Sequence, residues 1–263
     1  MCGIVGIVGA PPEDAGTLER MCGLLHHRGP NDRGVWRSPS AHIGHTRLSI
    51  LDLSAAGHQP MVLGERVLTY NGEIYNFQEL RRELPGPFLS ESDSEVVLHA
   101  YREWGVACVE RFHGMFAFAI WDEARGRLFA ARDRLGIKPL YYRLLPDGLA
   151  FASEIQPLLE LGRPELDRSA LADYLTYGYV PAPRTAFQGI LRLPPAHTLT
   201  LEADGRARLR RYWTLRVAPK QPAVATPAGF HEAAEAVRAG LDEAARLRMI
   251  ADVPLGAFLS GGV

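Results

Sequence analysis

Cysteine is scarce in this 263-residue sequence: only Cys2, Cys22 and Cys108 occur. An odd number without metal-like spacing implies neither a disulfide framework nor a zinc site. It fits a reducing compartment. Long apolar runs are also missing. No stretch approaches the ~20 apolar residues that cross a bilayer, and the N-terminus lacks the basic and apolar regions of a secretion signal. Charge of one sign is missing too, with 29 Lys and Arg against 30 Asp and Glu. No global field therefore draws the chain to nucleic acid or to an anionic membrane. No internal repeat of ~20–50 residues is visible. A cytoplasmic protein is the expectation. Among nine histidines, His26-His27 is the only adjacent pair. It reads as a helix end rather than a metal site.

Hydrophobic residues make up 47% of the sequence and charged residues 22%. That balance supports a sizeable core, in one large domain or two small ones. Gly3 to Val8 reads as a buried strand. Leu18, Met21, Cys22, Leu24 and Leu25 recur at helical spacing before Gly29-Pro30. Strands are expected at about 33–37, 41–47 and 67–71, and a helix around Phe77, Leu80 and Leu84. Ser92 and Glu95 have capping-box spacing at the start of a helix that runs to Gly105. Met115 to Trp121 is nearly all apolar, as in a strand buried on both faces. Further strands follow at 128–131, 140–144 and 149–151. Arg206, Arg208, Arg210 and Arg211 have the spacing of a solvated strand face. Runs of strands, then helices, then strands argue for an α+β layered fold. Residues 218–229 read as a semi-rigid linker. A helix over 230–250 and a strand over 255–259 running into Ser260-Gly261-Gly262 are expected beyond it.

Some residues carry chemistry on either of two readings. Cys2 follows Met1 directly. It is a buried strand opener, or, with Met1 removed, a thiol beside a free α-amine that can serve as its base. Arg47 ends a strand. It is a solvated edge residue, or a carboxylate clamp with two parallel hydrogen bonds. Asn71-Gly72 is a type I′ hairpin signal, or a pair of donors for an oxyanion. Asp93 complements a helix dipole, or pairs with a substrate ammonium.

Six segments in order make these readings converge: Cys2 to Gly6, His27 to Pro30, Arg47 to Asp52, Asn71 to Asn76, Ser92 to Glu95, and Arg132 to Tyr142. Together they closely resemble the glutamine-hydrolysing asparagine synthetase family. Ala152 to Ile155, Leu191 to Pro195 and Asp252 to Val263 match as well. The resemblance implies a four-layer αββα N-terminal-nucleophile hydrolase sandwich of two antiparallel sheets over residues 2–212, followed by a 213–229 linker. Residues 230–263 would be the start of an α/β ATP pyrophosphatase domain.

The resemblance also assigns roles. Cys2 is the nucleophile, and Asn71 and Gly72 form the oxyanion hole. Arg47 holds the glutamine α-carboxylate and Asp93 its ammonium, while Leu48, Ile50 and Glu73 line the pocket. The glutaminase half needs no cofactor or metal. ATP and Mg serve the complete family enzyme, where Ser260, Gly261 and Gly262 begin the pyrophosphate loop. That loop is interrupted at Val263, so no ATP-dependent synthesis is expected of this stretch. One departure is Asn31, where the family usually has Asp after His-Arg-Gly-Pro. L-glutamine is the expected substrate, without nucleic acid or membrane, and with a homodimer or a separate synthetase partner open. The alternatives are an amidotransferase with a different carboxylate acceptor and a silent interaction module.

Overall fold

The computed structural model describes residues 1–9, 11, 14, 16–217, 226–258 and 261. Twelve strands among them form two six-stranded sheets, and every pairing is antiparallel. The strands are β1 (Gly3–Val8), β2 (Asp32–Arg37), β3 (Ala41–Arg47), β4 (Met61–Leu63), β5 (Arg66–Ile74) and β6 (Gly114–Asp122). β7 (Arg127–Arg132), β8 (Tyr141–Leu145), β9 (Gly148–Ala152), β10 (Ile190–Arg192), β11 (His197–Leu201) and β12 (Ala207–Arg211) follow. One sheet runs β10-β8-β9-β1-β3-β2 and the other β12-β11-β7-β6-β5-β4.

The layering follows from side-chain alternation along central strands. In β1, Ile4 and Val8 enter the core between the sheets, whereas Val5 and Ile7 face the outer layer. In β6, Ala117, Ala119 and Trp121 face the same inter-sheet core, and Phe116, Phe118 and Ile120 face outward. Helices cover both outer faces because each outer face is itself apolar. α1 (Gly16–Gly23) and α5 (Ile155–Leu159) close the first sheet. α2 (Phe77–Glu83), α3 (Asp93–Trp104) and the short α4 (Cys108–Arg111) close the second. The result is the expected αββα sandwich. β12 is exposed at all five positions, as its arginine spacing predicts.

Three expectations are corrected. Asn71-Gly72 makes no hairpin turn: both residues lie inside β5, paired with Ala117 and Phe116. The β4–β5 turn instead uses Gly64, whose φ of +61° suits glycine. The helix cap at Ser92 also differs. Its side chain accepts from Ser94 N–H, but Glu95 bypasses it and accepts from the Leu89 and Ser90 N–H groups. Finally, of the strand expected over 255–259, residues 255–258 form none and Leu259 lies outside the described residues. A strand needs a partner for its hydrogen bonds, and no described strand pairs with this segment.

Two helices are exposed. α6 (Arg168–Tyr177) is capped by Asp167. α7 (Pro227–Leu247) has no buried residue, and Phe230, Val237 and Leu241 all face solvent. The chain returns to the sandwich after α7: Ile250 packs on the outer core of the second sheet.

Candidate active site

A cavity of about 260 Å³ opens where β1 begins and where β3 and β5 end. That volume is near the small end of ligand sites. Met1, Cys2, Arg47, Asn71, Gly72 and Asp93 are among its lining residues, as are Leu48, Ile50 and Glu73. Thus all the residues singled out between positions 2 and 93 meet at one place. Ser260 and Gly262 lie outside the described residues; Gly261 is exposed. Among the described residues no group of three His, Cys, Asp or Glu could hold a metal ion.

Cys2 is placed by its strand. Ser153 secures the first rung of β1, accepting from Ile4 N–H through its hydroxyl at 3.0 Å and donating its own N–H to Ile4 O at 2.9 Å. Arg28 Nε donates to Cys2 O at 3.0 Å, and its other arm binds Glu154. The His27-Arg28 segment therefore anchors the cysteine backbone rather than merely ending a helix. The Cys2 thiol faces Leu48, whose N–H lies 3.4 Å from Sγ. Burial raises the thiol pKa, while the Leu48 contact, the terminal amine and Arg47 oppose that rise. A base is needed to make the thiolate. The terminal amine of Met1 is held below its usual 8.0, chiefly by burial.

The polar wall is the open edge of β5. Tyr70 N–H donates to Gln59 Oε1 at 2.7 Å, and Ile74 N–H to Asp93 Oδ2 at 2.9 Å. Both point away from β6. Alternation along an antiparallel strand puts Gly72 N–H in the same row, between them, facing the cavity. Phe116, opposite Gly72, uses its own N–H and C=O on Asp133. Asn71 Nδ2 is buried without a protein partner. A buried donor left unpaired costs about 1–3 kcal/mol, so it marks a place where something else accepts. A side chain at Gly72 would strike Met115 O and Phe116.

Opposite charges flank these donors. Asp93, first residue of α3, is only 3% exposed. Burial raises its pKa from 3.8 to about 6, although Tyr70 Oη donates to it at 2.5 Å. Arg47 is not the solvated edge residue of the simpler reading, because β3 lies between β1 and β2 and the guanidinium is buried. Its Nη2 donates to Leu51 O and Asp52 O, and its Nη1 to Ser54 O. Nη2 belongs to both forks of a guanidinium, so no pair of parallel N–H groups is free. Arg47 offers the cavity its charge and single N–H bonds. Gly57 makes room for it, since a β-carbon there would overlap the guanidinium.

Lys138, Gln59 and Tyr70 also line the cavity and had no assigned role in the sequence. Lys138 is 6% exposed, and burial lowers its pKa against the pull of Glu73 and Cys2. Its place in the Arg132 to Tyr142 segment was the available signal. Asp133 holds that turn by accepting from the Leu135, Ile137 and Lys138 N–H groups. Asn31 Oδ1 accepts from Ser49 N–H at 3.1 Å, so the departure at this position supports the loop after Arg47.

Two stacked antiparallel sheets between helical layers, with Cys2 at the start of a central strand, make the fold of the N-terminal-nucleophile hydrolases. The solved structure of glutamine phosphoribosylpyrophosphate amidotransferase from B. subtilis shares this fold. Its TM-score is 0.60 at 18% identity, over 85% of this chain and 51% of that one. Residues 1–213 match the glutamine amidotransferase domain family, and residues 236–263 match the asparagine synthase family. The chain belongs to the glutamine amidotransferase domain family. It is 38% identical to glutamine-hydrolyzing asparagine synthetase 3 of Bacillus subtilis, over 100% of this chain and 44% of the relative. It is also 38% identical to amidase chry2 of Gibberella zeae, over 94% of this chain and 37% of the relative. The chain thus spans less than half the length of these two curated relatives. No helix among the described residues is long and apolar enough to cross a membrane.

Proposed function

We propose that this chain hydrolyses L-glutamine to glutamate and ammonia through a thioester on Cys2. One observation carries the reading: the Cys2 thiol, the unpartnered Asn71 amide and an oppositely charged Arg47–Asp93 pair face one cavity. Glutamine is a zwitterion at one end and a carboxamide at the other. Asp93 takes the ammonium and Arg47 the carboxylate, which leaves the carboxamide to reach Cys2. The α-amine accepts the thiol proton, and sulfur attacks the amide carbon. The oxygen takes up the negative charge between Asn71 Nδ2 and Gly72 N–H. The C–N bond breaks, the amine returns its proton to nitrogen, and ammonia leaves. Water then attacks the thioester, freeing glutamate and restoring the thiol. The amine acts from Cys2 itself, so the mechanism requires removal of Met1.

Glutamate release by the wild type and by Cys2→Ala is the test, with intact-mass measurement of the N-terminus. Turnover lost with Cys2 supports the reading, and equal rates overturn it. A retained Met1 without turnover favours a silent interaction module, for which the exposed apolar residues of α7 would provide the surface.

In a longer family enzyme this half would supply ammonia to a synthetase that makes asparagine from aspartate and ATP with Mg. The asparagine synthase match at 236–263 supports that placement. A different carboxylate acceptor is the second reading, because the fungal amidase is as similar to this chain as the bacterial synthetase is. The acceptor would be chosen outside the glutaminase pocket. ATP has no assigned step here.

A further inference from the structure

The loop from Leu48 to Ser54 forms one side of the cavity, through Leu48, Ile50 and Leu51. Three separate groups hold it. Arg47 binds the carbonyls of Leu51, Asp52 and Ser54 from within. The Asp52 side chain accepts from Ser54 N–H and from Glu91 N–H, two residues before Asp93. Asp52 itself is held at φ +51°, a conformation uncommon outside glycine.

The third hold comes from 200 residues downstream. Asp252 Oδ2 accepts from Asp52 N–H at 2.7 Å, and Asp252 N–H donates to Ile50 O at 2.9 Å. The two bonds run in opposite senses, so the pair fixes both the position and the direction of the loop. The neighbours of Asp252 reinforce it. Ile250 packs on the outer core, and beside Leu51 and Phe77 it lines a cavity of about 520 Å³ and a small one of about 10 Å³. The Arg248 guanidinium lies 4.6 Å above the Tyr75 ring.

We propose that Asp252 is a positioning residue of the glutamine pocket, holding the Ile50–Asp52 backbone so that Arg47 is aimed at the substrate carboxylate. This rests on the glutaminase reading above and deepens it. Arg47 has no free fork, so a carboxylate taking two parallel bonds must displace a loop carbonyl, and one taking single N–H bonds depends on where the loop holds the guanidinium. Either way the loop must stay in place, and Asp252, like the Asp52 carboxylate on Glu91 N–H, holds it without depending on Arg47. Asp252 lies within the segment that matches the asparagine synthase family. The glutamine site is therefore completed by the part of the chain that belongs to the second family. Linkage makes the coupling reciprocal. Whatever shifts Asp252 changes glutamine affinity, and glutamine changes the affinity of whatever shifts it.

The test uses the full chain with Asp252→Ala, Asp252→Asn and Ile250→Ala. Asp252→Ala is expected to raise the KM for glutamine by about tenfold or more at nearly unchanged kcat, as one charge-assisted hydrogen bond is lost. Asp252→Asn keeps an acceptor and should restore most of the affinity. Ile250→Ala removes packing and should lower Tm more than it raises KM, which separates general loosening from loop positioning. Hydrogen exchange gives a readout independent of catalysis: the Asp52 amide should exchange faster in Asp252→Ala than in the wild type. Unchanged exchange there overturns the proposal, as does an unchanged KM in an active enzyme. A wild type that releases no glutamate refutes the glutaminase reading instead, and the exchange result still decides the contact.

Discussion

Asp93 lowers the stability of the fold that holds it, and replacing it with asparagine exposes that cost. The carboxyl is buried, and its pKa moves from 3.8 to about 6 because burial removes its water. Tyr70 Oη and Ile74 N–H, at 2.5 and 2.9 Å, offset only part of the loss. Between those two pKa values the folded protein holds a proton that the unfolded chain has released. Stability therefore falls as pH rises through that window, and the penalty is fully present above about 6. The gap is worth roughly 3 kcal/mol as an upper bound. An asparagine side chain at this position would keep an oxygen for Tyr70 and Ile74 and carry no charge. Asp93→Asn should thus be about 1–3 kcal/mol more stable near pH 7.5 and nearly equal to the wild type near pH 4, read by urea denaturation. The same variant should raise the glutamine KM by at least about tenfold, since the ammonium loses its partner. In the wild type, KM should climb as pH drops below about 6, approaching tenfold per unit, because the proton on Asp93 competes with the ammonium. An asparagine variant no more stable than the wild type near pH 7.5 would refute the reasoning. So would a wild-type KM that is flat from about pH 5 to 7.

Three further outcomes follow from the same geometry. Asn71→Ala should cut kcat by about 100- to 1,000-fold with little change in KM, because its donor acts on the oxyanion; an equal rise in KM would return Asn71 to ground-state binding. Gly57→Ala should push the Arg47 guanidinium off its site, raising KM about tenfold, and a KM equal to wild type would show that the charge is not read by substrate. Lys138 lines the cavity and interacts electrostatically with Cys2, so Lys138→Met removes a cation close to the amine that Cys2 gains when Met1 is removed. Catalysis needs that amine neutral, so activity rises with pH through its pKa, and the acid limb of kcat/KM should move to higher pH in the variant. A limb that stays put or moves down would show that Lys138 does not face the amine.

The layered fold was legible because the strongest strands carry their pattern in sequence. Phe116 to Trp121 and Ile4 to Val8 are apolar throughout, and alternate residues of each enter two different cores. The strands β4, β10 and β11 and the helices α4 to α6 were not legible: β4, β10, α4 and α5 have three to five residues, too few to show a period, and α6 buries only Ala170 and so carries no apolar stripe. The expected strand after Pro254 illustrates the converse. Apolar composition was present, but pairing needs a neighbour. Asn71-Gly72 looked equally like a turn. Only the ladder to β6, unbroken from Arg66 to Ile74, decided that the two residues stay extended with their donors at an open edge.

The sequence alone determined which groups were available: one thiol beside the chain start, one arginine at a strand end, one Asn-Gly pair and one aspartate opening a helix. Their order along the chain marked the family. Tertiary structure decided that these groups share a cavity and what each one bonds to there. It turned most of the Arg47 hydrogen bonds inward and left the Asn71 amide unpaired. It lifted the Asp93 pKa toward neutrality and brought Asp252 back across 200 residues to the pocket wall. The physical reason is that hydrogen-bond partners and desolvation depend on distances through space, which local sequence does not fix.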